Sequence, residues 1–76
     1  MNGYNNFQGT ETTIVMSSQT YAFKADNFFH YNGINSRVQR ITENGYKCRF
    51  GVVVSLNKQA ALKYLASANI PYEAVL

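Results

Sequence analysis

Residues 43–55 read Glu-Asn-Gly-Tyr-Lys-Cys-Arg-Phe-Gly-Val-Val-Val-Ser, and this stretch predicts the second half of a β-hairpin. The Asn44-Gly45 pair is a strong signal for a hairpin turn, because both residues accept the positive φ angles that a tight turn needs. The three valines that follow are β-branched and apolar, which is typical of a buried strand. We therefore predict a strand over about 46–55, joined by a turn to a preceding strand over about 36–42.

Upstream of this hairpin, the sequence predicts one strand and one helix. The β-branched run at 12–16 (Thr-Thr-Ile-Val-Met) predicts the strand. Ser17 and Ser18 offer hydroxyls that can cap a helix over 19–32, and Gly33 suits the left-handed conformation that commonly ends one. The apolar residues of this helix recur at helical spacing on one face: Ala22, Ala25 and Phe29.

Downstream of the hairpin, the same signals repeat. Asn57 can cap a second helix over 58–68, Asn69 can end it, and Pro71 prevents its continuation. A short closing strand follows over 72–76. The apolar stripe predicted for this second helix consists of Ala61, Leu62, Leu65 and Ala68.

The resulting order is strand, helix, strand, strand, helix, strand, which is the split βαβ pattern of ferredoxin-like folds. We predict an α+β sandwich with a four-stranded antiparallel sheet in the order 4-1-3-2 and both helices on one face. The single domain spans 12–76. The leader at 1–11 is rich in Asn, Gly and Gln and is predicted to be flexible. Docking of the leader through Tyr4 and Phe7 is the alternative.

Phe50, Val52 and Val54 alternate along one side of the third strand, and Val53 lies on the other side. We predict that Val53 faces the helices and that the other three residues form an open apolar face. An open apolar face on a small domain often marks a partner site. A homodimer through this face is therefore expected.

The composition narrows the classes of protein. The chain has 76 residues, 46% of them hydrophobic, which suits one small folded domain. Its net charge of +3 is too small to indicate nucleic-acid binding by itself. No apolar run approaches the roughly 20 residues of a membrane span, and no secretory signal is visible. Together with a lone cysteine, these features predict a cytoplasmic protein without membrane contact.

Cys48 is the only cysteine and the leading candidate for chemistry. Lys47 and Arg49 flank it, and nearby positive charge favours the nucleophilic thiolate. The predicted pairing of the first and third strands places Cys48 near the helix N-terminus at 17–20, where backbone N–H groups also stabilise an anion. The alternative is a non-catalytic binding or oligomerisation module in which a buried Cys48 serves only packing.

Several short segments carry a resemblance to a known family. They are Ser17-Ser18-Gln19-Thr20-Tyr21-Ala22, Lys24-Ala25, Gly33-Ile34, Arg37-Val38, Cys48-x-x-Gly51, Ala61-Leu62, Leu65 and Asn69-Ile70. Over residues 12–76 the chain resembles the Se/S carrier protein-like family of small bacterial domains. The resemblance implies transfer of sulfur or selenium as a persulfide or selenosulfide on Cys48, with Gly51 permitting close backbone approach. It implies a carrier that works with a protein partner supplying or accepting sulfur, rather than a stand-alone enzyme.

Other candidate sites are not favoured by the sequence. His30, the only histidine, lies near the far end of the first helix and is predicted to be a surface residue, not a partner of Cys48. The four acidic residues are too dispersed for a metal site, and no cofactor is expected. Phe50 on the third strand resembles the base-stacking aromatic of an RNA-binding sheet only in part, so nucleic acid is an unfavoured partner.

Overall fold

The structure, a computed structural model, describes residues 11–42 and 49–76. It contains four strands and two helices in these parts of the chain. Their bounds are β1 Thr12–Val15, α1 Gln19–Tyr31, β2 Ser36–Ile41, β3 Arg49–Val54, α2 Lys58–Ser67 and β4 Ala74–Val75. The predicted leader up to residue 10 and the predicted turn at 43–45 lie outside the described residues, as does the predicted start of the third strand at 46–48.

The four strands form one sheet in the order β2-β3-β1-β4. Every neighbouring pair is antiparallel. The predicted α+β class, the four-stranded antiparallel sheet and the pairing of the first and third strands are confirmed. Within the described residues, neither helix has the length and apolar character needed to cross a membrane.

The helix ends follow the predicted capping residues. The Ser18 side chain accepts a hydrogen bond from the Tyr21 N–H at the start of α1, and the Asn57 side chain does the same for the Ala60 N–H at the start of α2. Gly33 follows the end of α1 with a φ of 74°. A left-handed residue at this position lets free carbonyls of the last turn find N–H partners.

The strand ends differ from the prediction mainly at the C-terminus. A strand was predicted over 72–76, whereas β4 spans only Ala74–Val75. On the N-terminal side of β4, the neighbouring strand β1 ends at Val15, the residue that pairs with Ala74. Hydrogen bonds continue beyond this short ladder, with the Glu73 N–H on the Val15 carbonyl and the Leu76 N–H on the Thr13 carbonyl.

The main core lies between the sheet and both helices. On the sheet side it contains Ile14, Val52 and Val54, all fully buried. On the helix side it contains the predicted apolar faces, namely Ala22, Ala25 and Phe29 of α1 with Ala61 and Leu65 of α2. We call the sheet face that carries Ile14 and Val52 the inner face. Both helices therefore contribute to a single apolar cluster on that face.

The predicted orientation of β3 is wrong, although its alternation is right. Val52 and Val54 belong to the cluster shared with the helices, and Phe50 packs against the same cluster. Val53 lies on the opposite side of the strand, which we call the outer face. The open apolar face predicted from these three residues is therefore covered by the helices. The predicted homodimer through that face loses its basis.

The outer face is also shielded from solvent at its centre. Val15 and Ile41 have no exposed surface, and Val53 is 4% exposed. These residues do not belong to the cluster that the helices cover. The central part of β3 is consequently buried on both faces, which is why Val52, Val53 and Val54 are all apolar.

Candidate functional site

Four of the predicted site residues lie where β1 ends and β3 begins. Val15 pairs with Gly51, and the Met16 N–H donates to the Phe50 carbonyl at 2.9 Å. The next residues of the chain after Met16 open α1. Antiparallel pairing thus brings the start of β3 to the N-terminal end of α1, as the sequence predicted.

Ser17 and Ser18 have different positions at this end of α1. Ser18 is the N-cap and its hydroxyl oxygen accepts from the Tyr21 N–H at 3.2 Å. Ser17 is exposed and precedes the cap. The first turn of α1 contains no acidic side chain, so no carboxylate of that turn offsets the positive end of the helix dipole. The local environment therefore favours a negative charge.

Arg49 is the first residue of β3, and its guanidinium has a partner that the sequence did not indicate. Its Nη1 atom lies 2.9 Å from Oε2 of Glu73, and both side chains are partly exposed. This carboxylate offsets part of the positive charge that Arg49 contributes to the site. Because the two residues are 24 positions apart, only the sheet that carries β3 and β4 brings them together.

Glycine is required at position 51, because a side chain and the backbone of the neighbouring strands leave no space for a Cβ atom. A Cβ atom at this position would lie 2.8 Å from Cδ1 of Ile41 and 2.9 Å from the Ile14 carbonyl oxygen. These distances are too short for any real Cβ contact, so the Ile41 side chain fills the space that glycine leaves. At this position glycine serves packing of the outer face.

Two of the six predicted site residues, Lys47 and Cys48, lie outside the described residues. The structure brings the other four to one edge of the domain. Ser17 and Ser18 lie at the start of α1, Arg49 begins β3, and Gly51 pairs with the last residue of β1.

His30 belongs to a separate cluster at the other end of α1. Its Nε2 atom lies 2.9 Å from the Ser36 carbonyl oxygen and 3.5 Å from Oδ1 of Asp26. The Ser36 hydroxyl donates directly to the same Asp26 carboxylate at 2.5 Å. A catalytic triad instead needs the serine hydroxyl on the histidine ring. The cluster therefore joins α1 to β2, and the prediction of a surface histidine is confirmed because its side chain is 56% exposed.

Neither a metal centre nor a catalytic pocket is evident in residues 11–42 and 49–76. These residues contain no group of three or more side chains suited to hold a metal ion. A groove of about 740 Å³ runs along α2 and contains none of the predicted site residues. Its lining consists of Asn57, Gln59, Ala60, Leu62, Lys63 and Ala66. Lys63 is the single charged residue among them, so the groove lacks an acid–base pair.

Comparison of the chain with protein-family models, with curated proteins and with solved structures found no match. A functional hypothesis must therefore come from the residues and their geometry.

Proposed function

We propose that this protein is a ferredoxin-like sulfur or selenium carrier in which Cys48 holds the transferred atom. The fold assignment is supported by the element order and by the sheet order, which reads β4-β1-β3-β2 from the opposite edge. The observation that carries the functional proposal is the meeting of β3 with the first turn of α1. Cys48 directly precedes Arg49 in the sequence, and Arg49 is the first residue of β3.

Two features of this edge favour a thiolate. The N-terminal turn of α1 carries the positive end of a helix of 13 residues with no acidic side chain in that turn. Arg49 adds a guanidinium next in sequence to the cysteine. A thiolate is the nucleophilic form of cysteine, and positive surroundings increase its population at neutral pH.

The transfer step needs no bound metal or redox cofactor. The Cys48 thiolate attacks the outer sulfur of a persulfide on a partner's cysteine. A bond forms between the two sulfur atoms while the bond inside the donor persulfide breaks, and the donor leaves as a thiolate. The carrier then holds a persulfide, and the reverse sequence with an acceptor returns Cys48 to the thiolate. The same exchange with a selenium atom gives a selenosulfide.

The Arg49–Glu73 ion pair provides a test in which the thiol pKa changes in both directions. Replacing Arg49 with Gln removes a cation and is expected to raise the pKa of Cys48. Replacing Glu73 with Gln releases Arg49 from its carboxylate and is expected to lower the pKa. The rate of alkylation by iodoacetamide, measured from pH 5 to 10, reports the thiolate fraction for each protein.

Lys63→Gln on α2 is the matched control, because it removes one cation outside the predicted site. The proposal expects a midpoint below the ordinary cysteine value of about 8.5 in the unmodified protein. It also expects opposite shifts in the two site variants and none in the control. A midpoint at or above the ordinary value, or failure of Cys48 to accept sulfur from a small-molecule persulfide, would leave Cys48 as a packing residue.

A further inference from the structure

The strand β2 forms one edge of the sheet and is the longer of the two edge strands. It spans six residues, whereas the opposite edge strand β4 spans two. An edge strand presents backbone N–H and C=O groups that can pair with another extended chain. The direction of each backbone group therefore decides what β2 can bind.

The hydrogen bonds between β2 and β3 fix those directions. The odd-numbered residues of β2 pair with odd-numbered residues of β3: Arg37 with Val53, Gln39 with Gly51 and Ile41 with Arg49. One position before β2, the Ser55 N–H donates to the Asn35 carbonyl at 3.0 Å. In an antiparallel ladder, residues that exchange backbone hydrogen bonds with the paired strand alternate with residues whose backbone groups point away from that strand.

The backbone carbonyl of residue 35 points toward β3. The backbone N–H and C=O groups of the odd-numbered residues of β2 therefore point toward β3 as well. Ser36, Val38 and Arg40 consequently direct their N–H and C=O groups outward.

One of these outward groups already has a partner. The Ser36 carbonyl oxygen lies 2.9 Å from Nε2 of His30, which closes the edge at the start of β2. No hydrogen bond from the other described elements reaches the backbone of Val38 or Arg40. The accessible part of the edge is therefore centred on these two residues.

The side chains along this edge are cationic. Arg37, Gln39 and Arg40 are exposed, and β2 contains no acidic residue. The Arg40 guanidinium lies over the Phe50 ring, 5.7 Å from its centre, which holds the cation in place. Arg37 has only a distant partner, Glu11, at 3.6 Å with both side chains exposed. Such a pair contributes little free energy, so another carboxylate can replace Glu11.

We propose that β2 binds an extended acidic segment of a protein partner as an additional antiparallel strand. The backbone of Val38 and Arg40 supplies the strand pairing, and the two arginines supply the selection for carboxylates. This proposal does not depend on the chemistry of Cys48.

The register of an added strand predicts the spacing of the acidic residues in the partner. Arg37 and Arg40 are three positions apart and lie on opposite faces of the sheet, Arg40 on the inner face opposite Phe50. Directly opposed residues of an antiparallel neighbour share a face, so two glutamates three residues apart can meet both arginines. Two glutamates at positions i and i+2 lie on the same face and can meet only one of the arginines.

The first experiment compares two capped peptides of identical composition with the unmodified protein. The probe is Thr-Val-Glu-Val-Thr-Glu-Val-Thr, and its isomer Thr-Val-Glu-Val-Glu-Thr-Val-Thr places the glutamates two apart. Affinities come from fluorescence anisotropy at low ionic strength. We expect the isomer to bind about tenfold more weakly, since it loses one charge-assisted contact. Equal affinities, or no binding of either peptide, would overturn the proposal.

Hydrogen exchange distinguishes strand pairing from attraction between charges alone. Strand addition should slow exchange of the Val38 and Arg40 amides, while the Arg37 and Gln39 amides are already bonded to β3 in the free protein. Peptide binding without slower exchange at Val38 and Arg40 would contradict strand addition, whatever the affinity.

Charge reversal then tests the arginines. The double variant R37E/R40E should lose affinity for the acidic probe peptide. It should instead bind the same peptide with lysine in place of each glutamate. The matched control K58E/K63E makes the same change in net charge on α2. It should leave the affinities for both peptides within about twofold of those of the unmodified protein. Equal losses of affinity for the acidic peptide in the two double variants would show general charge attraction. That result would contradict specific binding at the edge of β2. Circular dichroism establishes that each variant is folded.

Discussion

At the scale of single residues, Gly51 lies where the neighbouring strands leave no room for a side chain. An added Cβ would meet the Ile41 side chain and the Ile14 backbone at less than 3.0 Å. We expect Gly51→Ala to lower the free energy of unfolding by roughly 1–3 kcal/mol, because the strands cannot separate without loss of ladder hydrogen bonds. Urea denaturation measures this difference.

The double variant with Ile41→Ala identifies the cause of that loss. If the Ile41 side chain is the main obstacle, Gly51→Ala costs less free energy in the Ile41→Ala background than in the unmodified protein. Equal costs in the two backgrounds would assign the effect to the Ile14 carbonyl oxygen instead.

At the scale of one element, the first turn of α1 depends on its cap. Ser18 accepts the Tyr21 N–H, while Ser17 is exposed and lies outside the cap. Replacing Ser18 with Ala leaves this N–H without its partner, and we expect a loss of about 1 kcal/mol in the free energy of unfolding. Ser17→Ala is the matched control and should change the same quantity by less than about 0.5 kcal/mol. Equal effects in urea denaturation would contradict the assigned cap.

At the scale of the whole molecule, the centre of the sheet is shielded on both faces. Val52 faces the helices and Val53 faces away, yet both are buried. We expect Val52→Ala and Val53→Ala to reduce the free energy of unfolding by similar amounts, roughly 1–3 kcal/mol each. Urea denaturation of both variants checks this expectation. A loss for Val53→Ala of less than about 0.5 kcal/mol would mean that the outer face is exposed in solution.

Local sequence patterns were sufficient to predict the six elements and the capping residues of both helices. Ser18, Asn57 and Gly33 act through bonds and φ angles within one turn of the chain, so their roles do not depend on the rest of the fold. The alternation of β3 was predictable for the same reason, since it follows from the geometry of a single strand. The pairing of β1 with β3 followed from matching the element order to a known pattern.

The face of β3 that meets the helices could not be predicted without the packing of the whole domain. Val52, Val53 and Val54 are all apolar, so a two-residue period separates two faces without indicating which one is covered. The contacts at the candidate site could not be predicted from the sequence for a related reason. Glu73 reaches Arg49 across the sheet, and Ile41 fills the space beside Gly51, because strands distant in sequence become neighbours on folding. Contacts of this kind depend on strand register, which local sequence patterns do not specify.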